Sequence, residues 1–240
     1  LGWSDWIDVP GQKLFFDSRS PLTVTDWMKG GGEPVKIEAH FWMPDNASGP
    51  VPAVVIFNCG SVEVEAKEGF YSDEFHRQGY AVINVNSLKT RVDQMQTGLA
   101  DVFRYRNATI VDALEVLKTL AADPRIDPKR IAIIGWFNGG TSIMGAAIEE
   151  FRERYVGPDI RYAAIVPISP LCALGTIGAH FSQTPILSVH GGADDFAPLK
   201  PCEAYRQEAF EREAHLALLA YPVSYHDWDM PFPVHFETSP

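Results

Sequence analysis

Three separated stretches of the chain carry side chains suited to work on a carbonyl compound. The first is Arg130-Ile-Ala-Ile-Ile-Gly-Trp-Phe-Asn-Gly-Gly-Thr141, an apolar run leading straight into glycines and small residues. That is the setting of a nucleophile elbow, the sharp strand-to-helix turn written Gly-x-Ser-x-Gly, whose strained central residue needs small neighbours. Gly135 and Gly139 take the flanking positions and Gly140 follows, but Phe137 stands where serine is expected. The second stretch, Ser188-Val-His-Gly-Gly-Ala-Asp194-Asp-Phe-Ala-Pro198, ends a strand and puts Asp194 and Asp195 in a loop. The third, Ala220-Tyr-Pro-Val-Ser-Tyr-His226-Asp-Trp-Asp229, presents His226 after the last strand. A histidine and an acid delivered from successive strand ends are the parts of a general base and the carboxylate that orients it. The elbow is present without its nucleophile.

The elements that must position these residues are read from apolar periodicity. Strand-like runs fall at 35–43, 51–58, 80–86, 130–136, 162–169, 185–190 and 216–222. Several are continuously apolar and β-branched, such as Ala53-Val-Val-Ile-Phe57, which predicts strands buried on both faces of a parallel sheet. Helical spacing predicts helices over 101–122, where Ile110, Ala113, Leu114, Leu117 and Leu120 recur, over about 139–154, and over 201–215. Gly30-Gly31-Gly32 before Glu33-Pro34 predicts a turn ahead of a hairpin-like N-terminal strand. The alternation of strand and helix runs without a linker, so residues 1–240 read as one α/β domain with a mostly parallel central sheet flanked by helices.

Composition narrows the partners. The 240 residues are 46% hydrophobic and 21% charged, which excludes disordered and fibrous classes. A formal net charge of −11 repels phosphate backbones and anionic lipid, so neither nucleic acid nor a membrane surface is expected. The expected partner is a small-molecule substrate, and homo-oligomerisation stays open. No apolar run reaches the roughly 20 residues of a membrane span. Cys59, Cys172 and Cys202 are too few and scattered for a disulfide framework, so a reduced, cytoplasmic setting is expected. Secretion or periplasmic location stays open because the sequence begins at Leu1, leaving room for a removed leader. The glycines fit an elbow and not a Gly-x-Gly-x-x-Gly fingerprint, so no cofactor is expected. His226, Asp227, Asp229 and His235 match no standard metal-ligand spacing, and no metal is expected.

With these residues in place, the chain resembles the dienelactone hydrolase family of the α/β-hydrolase superfamily. The matching stretches are Gly79-Tyr-Ala-Val-Ile-Asn-Val-Asn-Ser87 with Arg91 after it, Asp123-Pro-Arg-Ile-Asp-Pro-Lys-Arg-Ile-Ala-Ile-Ile-Gly-Trp136, Asn138-Gly-Gly140, His190-Gly-Gly-Ala-Asp-Asp195, Pro201-Cys-Glu203 and Tyr221-Pro-Val-Ser-Tyr-His-Asp-Trp-Asp229. They span roughly residues 50 to 230. The resemblance implies an α/β-hydrolase fold and activity on lactones or esters through an elbow Cys or Ser. It carries His226 over as base and Asp194 as its orienter, with Asp195 as the fallback. Phe137 breaks the covalent mechanism, because it cannot be acylated. The backbone oxyanion donors would be Asn138 and the loop Asn58-Cys59-Gly60-Ser61. Asn58 replaces the family's frequent histidine, and Asn86 its frequent aspartate.

Other residues have two readings. Trp136 and Trp228 line the pocket or belong to the core. Arg91 pairs a substrate carboxylate or sits in a salt bridge. Cys59 is a substitute nucleophile or a small packing residue. His226 is a base or a structural histidine paired with Asp194. Cys202 reads as structural, and Glu149, Glu150 and Glu153 as a solvated helix face. For Phe137 three origins are open: a pseudoenzyme that only binds, an enzyme that needs only the His–Asp pair, or a hydrolase whose serine has been replaced. The leading expectation is non-covalent chemistry on a small ester- or lactone-like carbonyl compound, as a lyase, isomerase, cyclase or direct-water hydrolase.

Overall fold

Among the described residues the apolar runs become strands of one eight-stranded sheet. A computed structural model describes residues 11–57, 66–94, 104–172 and 180–229. In chain order the strands are β1 (Gln12–Ser20), β2 (Glu33–Trp42), β3 (Val51–Phe57), β4 (Ala81–Val85), β5 (Ile126–Trp136), β6 (Ala164–Ile168), β7 (Ile186–Gly191) and β8 (Leu216–Tyr221). Across the sheet they lie β1-β2-β4-β3-β5-β6-β7-β8. β1 and β2 pair antiparallel, β2 meets β4 antiparallel, and every later pairing is parallel. The helices are α1 (Val24–Met28), α2 (Ala66–Arg77), α3 (Arg106–Ala121), α4 (Phe137–Gly145), α5 (Glu149–Tyr155) and α6 (Leu199–Glu211), with a 3-10 turn at Lys89–Gln94.

Burial follows the continuous apolarity of the central strands. All of β4 and the last five residues of β3 are buried, as a sheet covered on both faces requires. One face packs α3 and α4 through Ile110, Leu114, Leu117, Ile143 and Met144. On the other, Val54, Ile56, Val82, Ile134 and Trp136 meet Tyr71 and Phe75 of α2. The N-terminal hairpin forms as expected, with Gly32 at φ 107° where a Cβ would lie 2.4 Å from the nitrogen of Pro21. Among the described residues, no helix is long and apolar enough to cross a membrane.

Three features differ from the sequence expectation. α1 and α2 form where no element was expected, and the N-terminal strands expected within about residues 1–50 include β1, whose bounds the sequence did not give. The single helix expected over 139–154 is two, because Ile148 is extended and bridges Phe181 while the amide of Glu149 donates to the carbonyl of His180. Glu149 and Glu150 then open α5, where the helix dipole favours carboxylates. Finally, Cys172 and Cys202 form a disulfide, correcting the expectation of unpaired cysteines. It joins the segment leaving β6 to the first turn of α6, a proximity created by the sheet and invisible in spacing. The sequence-based ground for a reduced compartment falls with it.

Candidate active site

The parallel strands end together at one edge, and β5, β7 and β8 each release one candidate residue there. β5 passes into α4 at Phe137, which adopts φ 45°. A bulky residue in the left-handed region is rare and held only where its surroundings demand it. Here the demand comes from two glycines. A Cβ on Gly135 would lie 3.0 Å from the carbonyl carbon of Gly139, and one on Gly140 2.9 Å from the carbonyl oxygen of Gly135. Elbow geometry is therefore kept with Phe137 at its centre. Trp136 at the N-cap makes no side-chain cap hydrogen bond to the first amides of α4.

β7 and β8 bring the acid and the histidine together through glycine. A Cβ on Gly191 would meet the carbonyl oxygens of Ser224 and Tyr225 at 2.5 and 2.7 Å, and one on Gly192 would meet the Cα of Pro222 at 2.8 Å. Only a bare backbone lets the loop after β8 lie directly on the loop after β7. The amide of Gly192 then donates to the carbonyl of Tyr221, and that of Ala193 to the carbonyl of Ser224. Across this contact His226 Nδ1 meets Asp194 Oδ2 at 2.7 Å. A carboxylate only accepts, so Nδ1 carries a proton, which in the neutral imidazole leaves Nε2 as the acceptor. Asp194 is buried, and its Oδ1 accepts from the amides of Phe196 and Ala197 at 3.0 and 2.8 Å. Asp195 is exposed and makes none of these contacts.

Phe137 closes the space beside His226. Its ring stands edge-to-face with His226 at 5.4 Å and lies 4.9 Å from Phe196. Phe196 is itself 4.9 Å from His226 and 54% exposed, so it forms the outer wall. The result is an apolar aromatic cup around one imidazole.

The remaining site candidates separate. Trp136 is buried in the core and its indole Nε1 donates to Asp229, while Trp228 is half-buried and packs on Tyr221 at 4.6 Å. Of its two readings Arg91 takes the salt bridge, and its place in a substrate pocket is corrected: it is 1% exposed and its guanidinium holds both oxygens of Asp112 in α3, the Ser20 hydroxyl and the Ser87 carbonyl. Asn86 caps the 3-10 turn by accepting from the amide of Lys89. Asn58, Cys59, Gly60 and Ser61 lie outside the described residues, so the expected second oxyanion donor has no described position. Sequence reading passed over Phe196, Lys67 and Tyr71, and weighed Asp229 only as a metal ligand. Phe196 is spaced two residues from Asp194, and Asp229 lies in the stretch quoted for His226; Lys67 and Tyr71 gave no signal. Burial first, then the negative charge of Asp229, pushes the Tyr71 phenol far above its ordinary value.

Known proteins agree with this architecture. The chain superposes on a thermophilic esterase of the planctomycete Thermogutta terrifontis with a TM-score of 0.63, at 12% identity over 94% of this chain and 88% of that one. The same esterase with propionate bound gives 0.61, at 14% identity over 81% of each chain. A Klebsiella pneumoniae subsp. pneumoniae MGH 78578 protein described as a dienelactone hydrolase gives 0.62, at 18% identity over 95% of this chain and 93% of that one. At these identities the likeness is one of fold. A comparison with curated proteins finds no match. The family model for the dienelactone hydrolase family matches residues 37–231. That span contains the elbow, the acid and the histidine, and the chain belongs to the dienelactone hydrolase family.

Proposed function

We propose that the protein acts on a small ester- or lactone-like carbonyl compound by non-covalent chemistry, with His226 as general base and Asp194 as its orienter. The observation that carries this reading is the 2.7 Å His226–Asp194 pair beside an elbow whose central residue is Phe137. A base oriented in this way takes a proton from a bound water or from the carbon next to the substrate carbonyl. The amide of Asn138, one residue after the elbow's centre, would stabilise the resulting oxyanion or enolate. Phe137 and Phe196 supply an apolar wall, which favours an uncharged substrate face and excludes bulk water. Hydrolysis by direct water attack, elimination, isomerisation and cyclisation all use these groups without an acyl-enzyme.

The test uses chromogenic esters and lactones with mass spectrometry of the intact protein during turnover. The expected result is turnover by the wild type with no covalent adduct, and a burst with an acyl adduct in Phe137→Ser. An adduct on the wild type contradicts the reading. Binding of such compounds without turnover would instead assign the protein as a binding pseudoenzyme.

A further inference from the structure

The segment carrying His226 is tied down by residues that the acid–base reading does not use. Asp227, next to the base, takes φ 54° and its Oδ1 accepts from the buried Nζ of Lys67 at 2.6 Å. Two residues further on, Asp229 Oδ2 accepts from the Trp136 indole Nε1 at 2.6 Å and from the Tyr71 hydroxyl at 3.2 Å. Trp136 is the last residue of β5 and immediately precedes Phe137, while Tyr71 belongs to α2. The other carboxylate oxygen, Asp229 Oδ1, is buried with no hydrogen-bond partner among the described residues. Burying an oxygen without a partner costs stability, so a gain for the fold alone does not explain this carboxylate.

We infer that Asp229 is a positioning residue for His226, an assignment that rests on the reading of His226 as the base. Residues 226–229 form no helix or strand, so backbone hydrogen bonding alone does not hold the histidine. Asp194 grips the imidazole from the β7 side. Asp229 grips the backbone three residues on and fastens it to β5, the strand that carries the elbow. The place of the base relative to the elbow is thus set through the Trp136 indole, and an error of about an ångström there is enough to slow a proton transfer by about a hundredfold.

The experiment reads the Nδ1 proton of His226 by proton NMR in water, assigned by its absence in His226→Ala. The wild type is expected to show a far-downfield resonance from the hydrogen bond to Asp194. Asp229→Ala and Trp136→Phe are expected to lose it through exchange, in protein whose other resonances keep native dispersion. Asp229→Asn retains an acceptor for the indole and is expected to keep it. On a substrate that the wild type turns over, Asp229→Ala is expected to lower kcat by about tenfold to a hundredfold, with KM changed by no more than about twofold. An unchanged resonance in Asp229→Ala overturns the inference, and so does loss in Asp229→Asn with Trp136→Phe unaffected. Should Asp229→Ala not fold, Trp136→Phe and Asp229→Asn decide between the same outcomes. Turnover that survives His226→Ala would remove the role of the base; the resonance reports the tether independently.

Discussion

Phe137 holds the left-handed backbone of an elbow while its ring faces His226 at 5.4 Å. Such a conformation costs a non-glycine residue about 1–3 kcal/mol, borne here because Gly135 and Gly140 pack backbone against backbone. This part of the site was legible residue by residue, since glycine spacing and the order of Asp194 and His226 are local signals. Arg91 was not, because its partner Asp112 sits 21 residues away and only folding brings them together. With Arg91 and Asp112 both buried, Arg91→Met strands a carboxylate that keeps only the Ser18 and Ser87 hydroxyls. The expected cost is about 3–5 kcal/mol in chemical denaturation. Turnover per folded molecule is expected to stay unchanged. A raised KM at unchanged stability would return Arg91 to the substrate.

At the scale of elements, the parallel strands were legible because strands buried on both faces must be continuously apolar, as β3 and β4 are. β1 was legible only as an N-terminal strand without bounds, since QKLFFDSRS lies at the sheet's edge and carries charge. α2 was hidden: its apolar contacts are mostly aromatic, Tyr71 and Phe75, set among charged residues. The two loops that build the acid–base pair depend on Gly191, whose hydrogen faces the carbonyls of Ser224 and Tyr225. Gly191→Ala is therefore expected to push the β8 loop away and to abolish turnover in protein that still folds. Unaltered turnover would show that the loops meet by another route. The Cys172–Cys202 bridge closes a separation of 30 residues, and chain-entropy reasoning gives it about 3–4 kcal/mol. The paired Cys172→Ser and Cys202→Ser variant is expected to lose about that much, read as a lower denaturation midpoint. An unchanged midpoint, with both thiols titrating free in the wild type, would contradict the bridge.

Across the whole molecule, residues 137 and 226 come from opposite ends of the second half of the chain and meet because β5, β7 and β8 run parallel in one sheet. Family membership and strand order account for that meeting, and neither requires the elbow residue to be a nucleophile. The proposed function follows from this: His226, Asp194 and the elbow would work on the substrate without covalent attack. The net charge of −11 keeps its place as a property of the surface, whereas the cup around His226 is apolar. The central claim is that His226 performs the chemistry in this altered site. It is tested most directly by comparing kcat/KM of the wild type and His226→Ala on an ester or lactone that the wild type turns over. A fall of about 10²–10⁴-fold is expected for a general base; equal values in the two proteins would contradict the account.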